Sequence, residues 1–295
     1  MTMTAVARAF QQVDVFTDRA GFGNALAVVL DGDGLDAATM QRFATWTNLS
    51  ESVFVLAPTK DADARVRIFT PRQELPFAGH PTVGAVHALV HAGRIAHEAT
   101  SMRLECAAGV LPVRIEHRGG APLVSVRSPC AKLHHANPED VAPLAAALGA
   151  EPNRSALPRI VDVGAIWMIV DLGDAAIVRA RAPDLDRIAA LTLARHTVGV
   201  AVFGRETRGD AALAVRAFCP ADGIPEDPVT GSANAAIGAF LRECGALDAI
   251  GARYVASQGR EVGRDGRVVV EVDVATGDVA IGGTSVTCVE GVVRF

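Results

Sequence analysis

Three side chains capable of acid–base chemistry lie at predicted strand or helix boundaries. Glu51 opens the strand-like run "ESVFV", and His80 and Asp227 stand just before or at the start of helix-like runs. A carboxylate that is partly removed from water has a raised pKa, which makes Glu51 a candidate general acid–base group. Each residue also has a structural interpretation. Glu51 would end the capping pattern Asn48-x-x-Glu51, although a strand-like run and not a helix follows it. His80 would be a hydrogen-bonded surface residue. Asp227-Pro228 would be a turn signal.

Two glycine-led helix starts lie beside these residues. The first has Gly79 and His80 in "AGHPTVGAV", and the second has Gly231 and Ser232 in "TGSANAAIG". Backbone N–H groups in the first turn of a helix have no partner within the helix and favour an anion. A matched pair of helix starts facing one cleft would hold a carboxylate through backbone groups alone. The alternative is that both are tight helix starts buried in their own domains.

The elements that carry these residues belong to an internal duplication. Three pairs of segments match in order, at offsets of 149 to 152 residues: 52–57 with 201–206, 66–77 with 215–226, and 78–86 with 230–238. The match keeps a phenylalanine, two prolines and a glycine-led helix in sequence, which chance rarely does, so we expect two similar domains. This alignment places Glu51 opposite Val200. A carboxylate therefore stands in one copy where the other has an apolar residue.

Each copy has the pattern of a strand, a helix, two strands and a long loop into an apolar helix. Apolar periodicity and flanking turn residues predict helices over 36–48, 80–93 and 232–244. The remaining strands have an antiparallel character and are broken by glycine turns. We expect an α+β protein with domains at 1–118 and 119–295. The pattern leaves open whether the last strand, near 285–295, returns to the first domain.

Composition excludes several classes of protein. The 295 residues carry a net charge of −5, so no nucleic-acid or anionic membrane partner is expected. Five scattered cysteines, never in C-x-x-C, and no signal-like apolar run at the N-terminus predict a cytoplasmic protein. His87 and His91 have helical i, i+4 spacing but no obvious third ligand, so no metal site is expected. Nucleotide, phosphate-loop and hydrolase-elbow motifs are absent from the sequence.

Five motifs in order resemble the PhzF-like phenazine-biosynthesis family: "GNALAVV", "NLSESVFV", "FTPRQELPFAGHPTVGA", "EDPVTGSAN" and "SQGREVGR". The resemblance covers nearly the whole chain. It implies a diaminopimelate-epimerase-like fold with two pseudo-symmetric domains. In that fold each domain is an antiparallel, barrel-like sheet wrapped around a central helix, and the active site lies in the interdomain cleft. It also implies a cofactor-free isomerase acting on a small carboxylate-bearing substrate, commonly as a homodimer.

The same resemblance implies roles for individual residues. Glu51 matches the family's general acid–base group, and His80 and Asp227 match its polar partners. The substrate-binding matches are Asn24, Ser50, Gly79, Gly231 and Ser232, of which Asn24 and Ser50 are the weaker ones. Ala25 departs from the family, which often has proline at this position of "GNP". The departure bears on loop rigidity and leaves the implied mechanism unchanged.

Related epimerases and proline racemases place a catalytic cysteine before each helix-start glycine. This chain has Ala78 and Thr230 at those positions, so a two-thiol mechanism is not expected. A single carboxylate suits a proton shift on one face of the substrate. Two alternatives remain open: a lyase or dehydratase acting on a hydroxy-amino acid, with Thr230 replacing a thiol, and a non-catalytic small-molecule-binding protein. The sequence does not identify the substrate.

Overall fold

The computed structural model describes residues 6–117, 119–134 and 137–295. The described chain folds into two compact units. The first contains the residues up to Arg127 together with Gly282–Phe295, and the second contains Ser128–Ile281. Residue 118, at the predicted domain boundary, lies outside the described residues. Residues 1–5, which begin the N-terminal segment without a signal-like run, also lie outside them.

The secondary-structure elements are numbered here in chain order. The strands are β1 (Ala7–Val15), β2 (Asn24–Val29), β3 (Glu51–Leu56), β4 (Ala64–Phe69), β5 (Glu74–Leu75), β6 (Ser101–Cys106), β7 (Gly109–Glu116), β8 (Leu123–Arg127), β9 (Lys132–Leu133), β10 (Arg159–Asp162), β11 (Ile166–Asp174), β12 (Gly199–Arg205), β13 (Leu213–Cys219), β14 (Ile224–Asp227), β15 (Arg253–Gln258), β16 (Gly266–Val272), β17 (Val279–Gly283) and β18 (Ser285–Arg294). The helices are α1 (Ala37–Thr47), α2 (Gly79–His91), α3 (Val141–Leu148), α4 (Ala175–Arg179), α5 (Leu185–Arg195), α6 (Gly231–Glu243) and α7 (Leu247–Ile250).

The first unit has a mixed sheet. Strand β2 is antiparallel to β1 and parallel to β3, with α1 forming the crossover between β2 and β3. Strand β4 is antiparallel to β3 and parallel to β6, with α2 in the second crossover. Strand β7 is antiparallel to β6, and β8 is antiparallel to β7. The last strand, β18, pairs antiparallel with β1.

The second unit repeats this order of pairings. Strand β11 is antiparallel to β10 and parallel to β12, and β13 is antiparallel to β12 and parallel to β15. The helices between the parallel strands are α4 and α5 in the first crossover and α6 and α7 in the second. A shared pairing order is what a duplicated chain predicts. The antiparallel sheets that the resemblance implies also contain parallel pairs of strands: β2 with β3, β4 with β6, β11 with β12, and β13 with β15. A parallel pair needs a crossover connection, which these helices supply.

Helices α2 and α6 form the apolar centre of their units. Both have 13 residues, and their first residues lie 152 positions apart. Every residue of α2 from Gly79 to Val90 is buried, and the helix packs against β1, β2, β3, β8 and β18. Helix α6 packs against β10, β11, β12 and β16. Each helix start is thereby fixed against the strands of its own unit.

The register of β3 differs by one residue from the sequence alignment. The residue after Glu51 pairs with Phe69, whereas Val200 itself pairs with Phe218, the repeat partner of Phe69. Glu51 therefore corresponds to Gly199, and the expected match with Val200 is wrong. Such a slip matters because a shift of one residue moves a side chain to the opposite face of a strand.

Within the described part of the chain, no helix is both long enough and apolar enough to cross a bilayer.

Candidate active site

Glu51 and His80 form a hydrogen-bonded pair in the first unit. Nδ1 of His80 lies 3.0 Å from Oε2 of Glu51. The other ring nitrogen, Nε2, lies 3.1 Å from the backbone oxygen of Asn24. The side chain of His80 is 6% exposed and that of Glu51 is 17% exposed. The pair is therefore largely removed from solvent, while Glu51 keeps some accessible surface.

Three element starts bring these residues together. Asn24 begins β2, Glu51 begins β3, and His80 is the second residue of α2. Strands β2 and β3 are parallel, so their first residues lie at the same end of the sheet. The buried helix α2 starts at this end and aims the imidazole between the two strands.

The Asn24 carbonyl determines the tautomer of His80. A carbonyl oxygen only accepts hydrogen bonds, so Nε2 of His80 carries a hydrogen and donates it. The contact between Nδ1 and Glu51 then contains one shared proton. Either Glu51 is ionised beside an imidazolium, or a protonated Glu51 donates to a neutral ring. The pair can therefore hold one proton at Glu51 or at His80.

Phe16 packs beside the imidazole of His80. Their ring centroids lie 6.3 Å apart with the planes tilted by 42°. Phe16 is fully buried at the end of β1 and has φ = 66°, a left-handed conformation that bulky residues seldom adopt. The surrounding core must hold this conformation against its intrinsic cost. Sequence reasoning did not identify Phe16, because no local motif signals its backbone angle.

Asp227 belongs to a separate hydrogen-bonded loop in the second unit. Its Oδ2 atom accepts a hydrogen bond of 2.6 Å from the hydroxyl of Thr230. Gln258 donates from Nε2 to the Asp227 carbonyl at 2.9 Å and to the Thr230 hydroxyl at 2.8 Å. Oε1 of Gln258 accepts from the Thr230 amide and from the side chain of Asn234, both at 3.0 Å. These contacts fix the segment that leads from β14 into α6.

The start of α6 carries Gly231 and Ser232. The preceding residue, Thr230, makes no side-chain cap to the helix, because its hydroxyl is engaged by Asp227. Ala78 before α2 has no polar side chain to serve as a cap. These two helices thus begin without a side-chain cap, which suits an anion bound by backbone N–H groups.

Trp167 occupies in the second unit the space that corresponds to the Glu51 site. A Cβ atom on Gly199 would lie 2.7 Å from the Trp167 ring and 2.8 Å from Sγ of Cys219. The Trp167 indole N–H donates to the hydroxyl of Ser232 at 3.1 Å. Ser232 is the repeat partner of His80. The two units therefore differ in chemistry at equivalent positions: an acid–base pair in one, and an indole–hydroxyl contact in the other.

Cys219, the cysteine closest in sequence to Asp227, is buried. Cys219 ends β13, and burial together with the charges of Asp227 and Asp222 raises the pKa of its thiol well above the usual value. A thiol of that kind is a poor base near neutral pH. The absence of cysteine from positions 78 and 230 is thus not offset by Cys219.

Ser50 and the helix histidines complete the set of sequence candidates. Ser50 is partly buried and lies one residue before β3. His87 bonds the hydroxyl of Thr287, and His91 bonds the carboxylate of exposed Glu290. Among the described residues, no group of three or more His, Cys, Asp or Glu side chains is arranged to hold a metal ion.

Gln258, Asn234 and Trp167 were missed as site residues. Gln258 and Asn234 do stand inside the motifs "SQGREVGR" and "EDPVTGSAN". Their roles arise from contacts that join β15 to the start of α6, 24 to 28 residues apart. Trp167 lies in a strand with no recognisable motif, so only its contact with Ser232 identifies it.

A family model described as "phenazine biosynthesis-like protein" matches residues 13–291. The trans-2,3-dihydro-3-hydroxyanthranilate isomerase of Pseudomonas aeruginosa is 34% identical over 88% of this chain and 89% of its own length. A crystal structure of a PhzF-family phenazine biosynthesis protein from Bacillus anthracis superimposes with a TM-score of 0.86, at 27% identity. It covers 98% of this chain and all of that one. A hydroxyproline epimerase from Agrobacterium vitis, 14% identical, shares the fold with a TM-score of 0.64, over 98% of this chain and 93% of its own.

Proposed function

The chain belongs to the phenazine biosynthesis-like family and is an isomerase; on that premise we propose that it shifts a proton on a small carboxylate substrate, with Glu51 as the acid–base group. The Glu51 carboxylate removes a proton from one carbon, and the electron pair moves through the adjoining π-system. The same carboxyl group then delivers a proton to a second carbon on the same face. No cofactor takes part in this scheme.

The observation that carries the proposal is the hydrogen-bonded contact between Glu51 and His80. An ionised Glu51 is the form that can take a proton, and in that form Nδ1 of His80 carries the shared hydrogen and stabilises the carboxylate. The Nε2 contact with the Asn24 carbonyl holds the ring in this orientation. A protein that only binds a ligand has no need of a partly exposed carboxylate paired in this way, which counts against the non-catalytic alternative.

The remaining candidates would bind the substrate. Backbone N–H groups of Gly79, Gly231 and Ser232 suit a carboxylate, because each lies in the uncapped first turn of a long helix. Asp227 accepts a hydrogen bond at Oδ2, which suits recognition of an amino or hydroxyl group. A compound that carries a carboxylate together with an amino or hydroxyl group meets both requirements.

The contacts of Thr230 count against the lyase alternative. In that alternative the Thr230 hydroxyl would take the place of a catalytic thiol. The oxygen accepts a hydrogen from Gln258 and directs its own hydrogen to Asp227. A hydroxyl that is committed in both directions is poorly placed to remove a proton from a substrate carbon.

The experiment incubates the purified protein with trans-2,3-dihydro-3-hydroxyanthranilate in D₂O. This compound is the probe because a 34% identical relative is named for it and because it carries a carboxylate, an amino group and a hydroxyl. We expect isomerisation, with deuterium at the carbon that receives the proton, read by NMR and mass spectrometry. Loss of water or ammonia from the probe instead of isomerisation would contradict the proposal and favour the lyase alternative.

A further inference from the structure

The side-chain amide of Gln258 is saturated by four partners around Asp227. Its oxygen accepts from the Thr230 amide and from Asn234, both at 3.0 Å. Its nitrogen donates to the Asp227 carbonyl at 2.9 Å and to the Thr230 hydroxyl at 2.8 Å. A glutamine amide has two hydrogens to donate and an oxygen with two lone pairs, so these four contacts use its full capacity.

The backbone partners determine which end of the amide is oxygen. The Thr230 N–H only donates and the Asp227 carbonyl only accepts, so Oε1 faces the first and Nε2 faces the second. The second Nε2 hydrogen then points at the Thr230 hydroxyl oxygen. That hydroxyl consequently directs its own hydrogen to Oδ2 of Asp227, 2.6 Å away. A hydrogen bond to a carboxylate is stronger when the acceptor is ionised, so this contact favours the ionised form of Asp227.

We propose that Gln258 is a positioning residue, which holds the Asp227 carboxylate in one orientation through the Thr230 hydroxyl. Gln258 is 0% exposed, so it acts without touching a substrate. It ends β15, which is hydrogen-bonded to β13 on one side and β16 on the other, and such a paired strand supplies a rigid support. The inference deepens the proposed function and rests on it, because Asp227 is there a substrate contact.

A purely structural role for Gln258 predicts a different set of results. Gln258→Leu removes the hydrogen bonds that Gln258 makes to the buried Thr230 amide and to the Asp227 carbonyl, so this variant loses stability in either case. Thr230→Val is the second variant, because it removes only the hydroxyl and leaves the two backbone contacts of Gln258 in place. Thr230→Ser keeps the hydroxyl. The matched control is Gln11→Leu, which removes a glutamine that is 3% exposed in the first unit.

The test combines crystal structures with kinetics on trans-2,3-dihydro-3-hydroxyanthranilate. We expect the Asp227 side chain to move in Gln258→Leu and in Thr230→Val, and kcat/KM to fall by up to about 10²-fold, the cost of a misplacement near 1 Å. The double variant should have a kcat/KM no lower than that of the less active single variant, since both substitutions act on one contact. Thr230→Ser should restore activity, and Gln11→Leu should leave kcat/KM unchanged.

Two outcomes overturn the inference. One is an Asp227 carboxylate that stays in place in both crystal structures. The other is a loss of kcat/KM in Gln11→Leu equal to that in Gln258→Leu, which would assign the effect to stability alone. If the wild-type protein does not convert the probe, the proposed function fails for that substrate. The two crystal structures still decide whether Gln258 holds Asp227, because they require no turnover.

Discussion

Nδ1 of His80 lies 3.0 Å from Oε2 of Glu51, and the opposite ring nitrogen lies 3.1 Å from a backbone carbonyl. The carbonyl fixes one hydrogen on the ring, so the contact with Glu51 contains one proton that both groups share. His80 can therefore hold a proton next to Glu51, whose carboxylate keeps some exposed surface. This contact is the basis for proposing Glu51 as the acid–base group and His80 as the partner that stabilises its carboxylate.

Replacing His80 should lower turnover. His80→Asn removes the positive partner of the ionised Glu51, and general acid–base assistance of this kind contributes roughly 10²- to 10⁴-fold. We expect kcat to fall within that range while KM changes little, measured by steady-state kinetics on the isomerisation probe. His91→Asn is the control, since His91 is exposed on the same helix and pairs with Glu290 instead. Equal activity in the two variants would remove His80 from the mechanism.

Two arginines that the repeat matches, Arg67 and Arg216, each pair with a glutamate. Arg216 contacts Glu226 in bidentate geometry at 2.9 and 2.7 Å, and both side chains are less than 10% exposed. Arg67 contacts Glu74 in the same geometry at 2.7 and 2.6 Å, but these two side chains are 26% and 34% exposed. The two pairs thus differ mainly in their exposure to water.

Removing the carboxylate should therefore cost much more in the second unit than in the first. Glu226→Gln leaves the buried Arg216 guanidinium without its carboxylate partner, and we expect a loss of about 3–5 kcal/mol in the free energy of unfolding. Glu74→Gln should cost about 1 kcal/mol or less, because water and salt screen that pair. Urea unfolding of both variants makes the comparison. Equal losses would contradict the argument from burial.

The stability of the protein should fall in mild acid because of His87. Burial, and then the nearby charge of His91, lower the pKa of His87 from 6.5 to about 4. The unfolded state therefore binds more protons between these two values. Stability is retained above pH 6.5, falls as the pH drops towards 4, and is then constant with respect to this group, for a total of about 3 kcal/mol.

His87→Gln should abolish this part of the pH dependence. The measurement compares urea unfolding at about pH 7 and about pH 4 for the wild type and the variant. His91→Gln should keep most of the loss, because desolvation of His87 is the larger cause. A wild-type protein and His87→Gln variant that lose the same stability on acidification would rule out His87 as the source.

The order of the motifs and the internal repeat were the most informative features of the sequence. The family, the α+β fold class and the isomerase class are confirmed. Helices predicted at 36–48, 80–93 and 232–244 are observed as α1, α2 and α6, with ends shifted by one or two residues. The site roles, the homodimer and the cytoplasmic location stay predictions.

The register of β3 could not be predicted from sequence. Aligning Phe54 with Phe203 looks natural because both strands are apolar, yet Phe54 and Val202 are the residues that pair with the matched arginines of β4 and β13. An apolar run gives no alternation with which to fix its own register. The contacts of Gln258 and Trp167 were equally hidden, because they join segments far apart in the chain.

Turnover by Glu51→Gln is the most direct test of the central claim that Glu51 moves the proton. Glutamine keeps the size of the side chain and can still hydrogen-bond to His80, but it cannot accept and return a proton. We predict that Glu51→Gln binds the carboxylate probe with nearly unchanged affinity by calorimetry, while isomerisation and deuterium incorporation disappear. A Glu51→Gln variant that isomerises the probe at the wild-type rate would contradict the account.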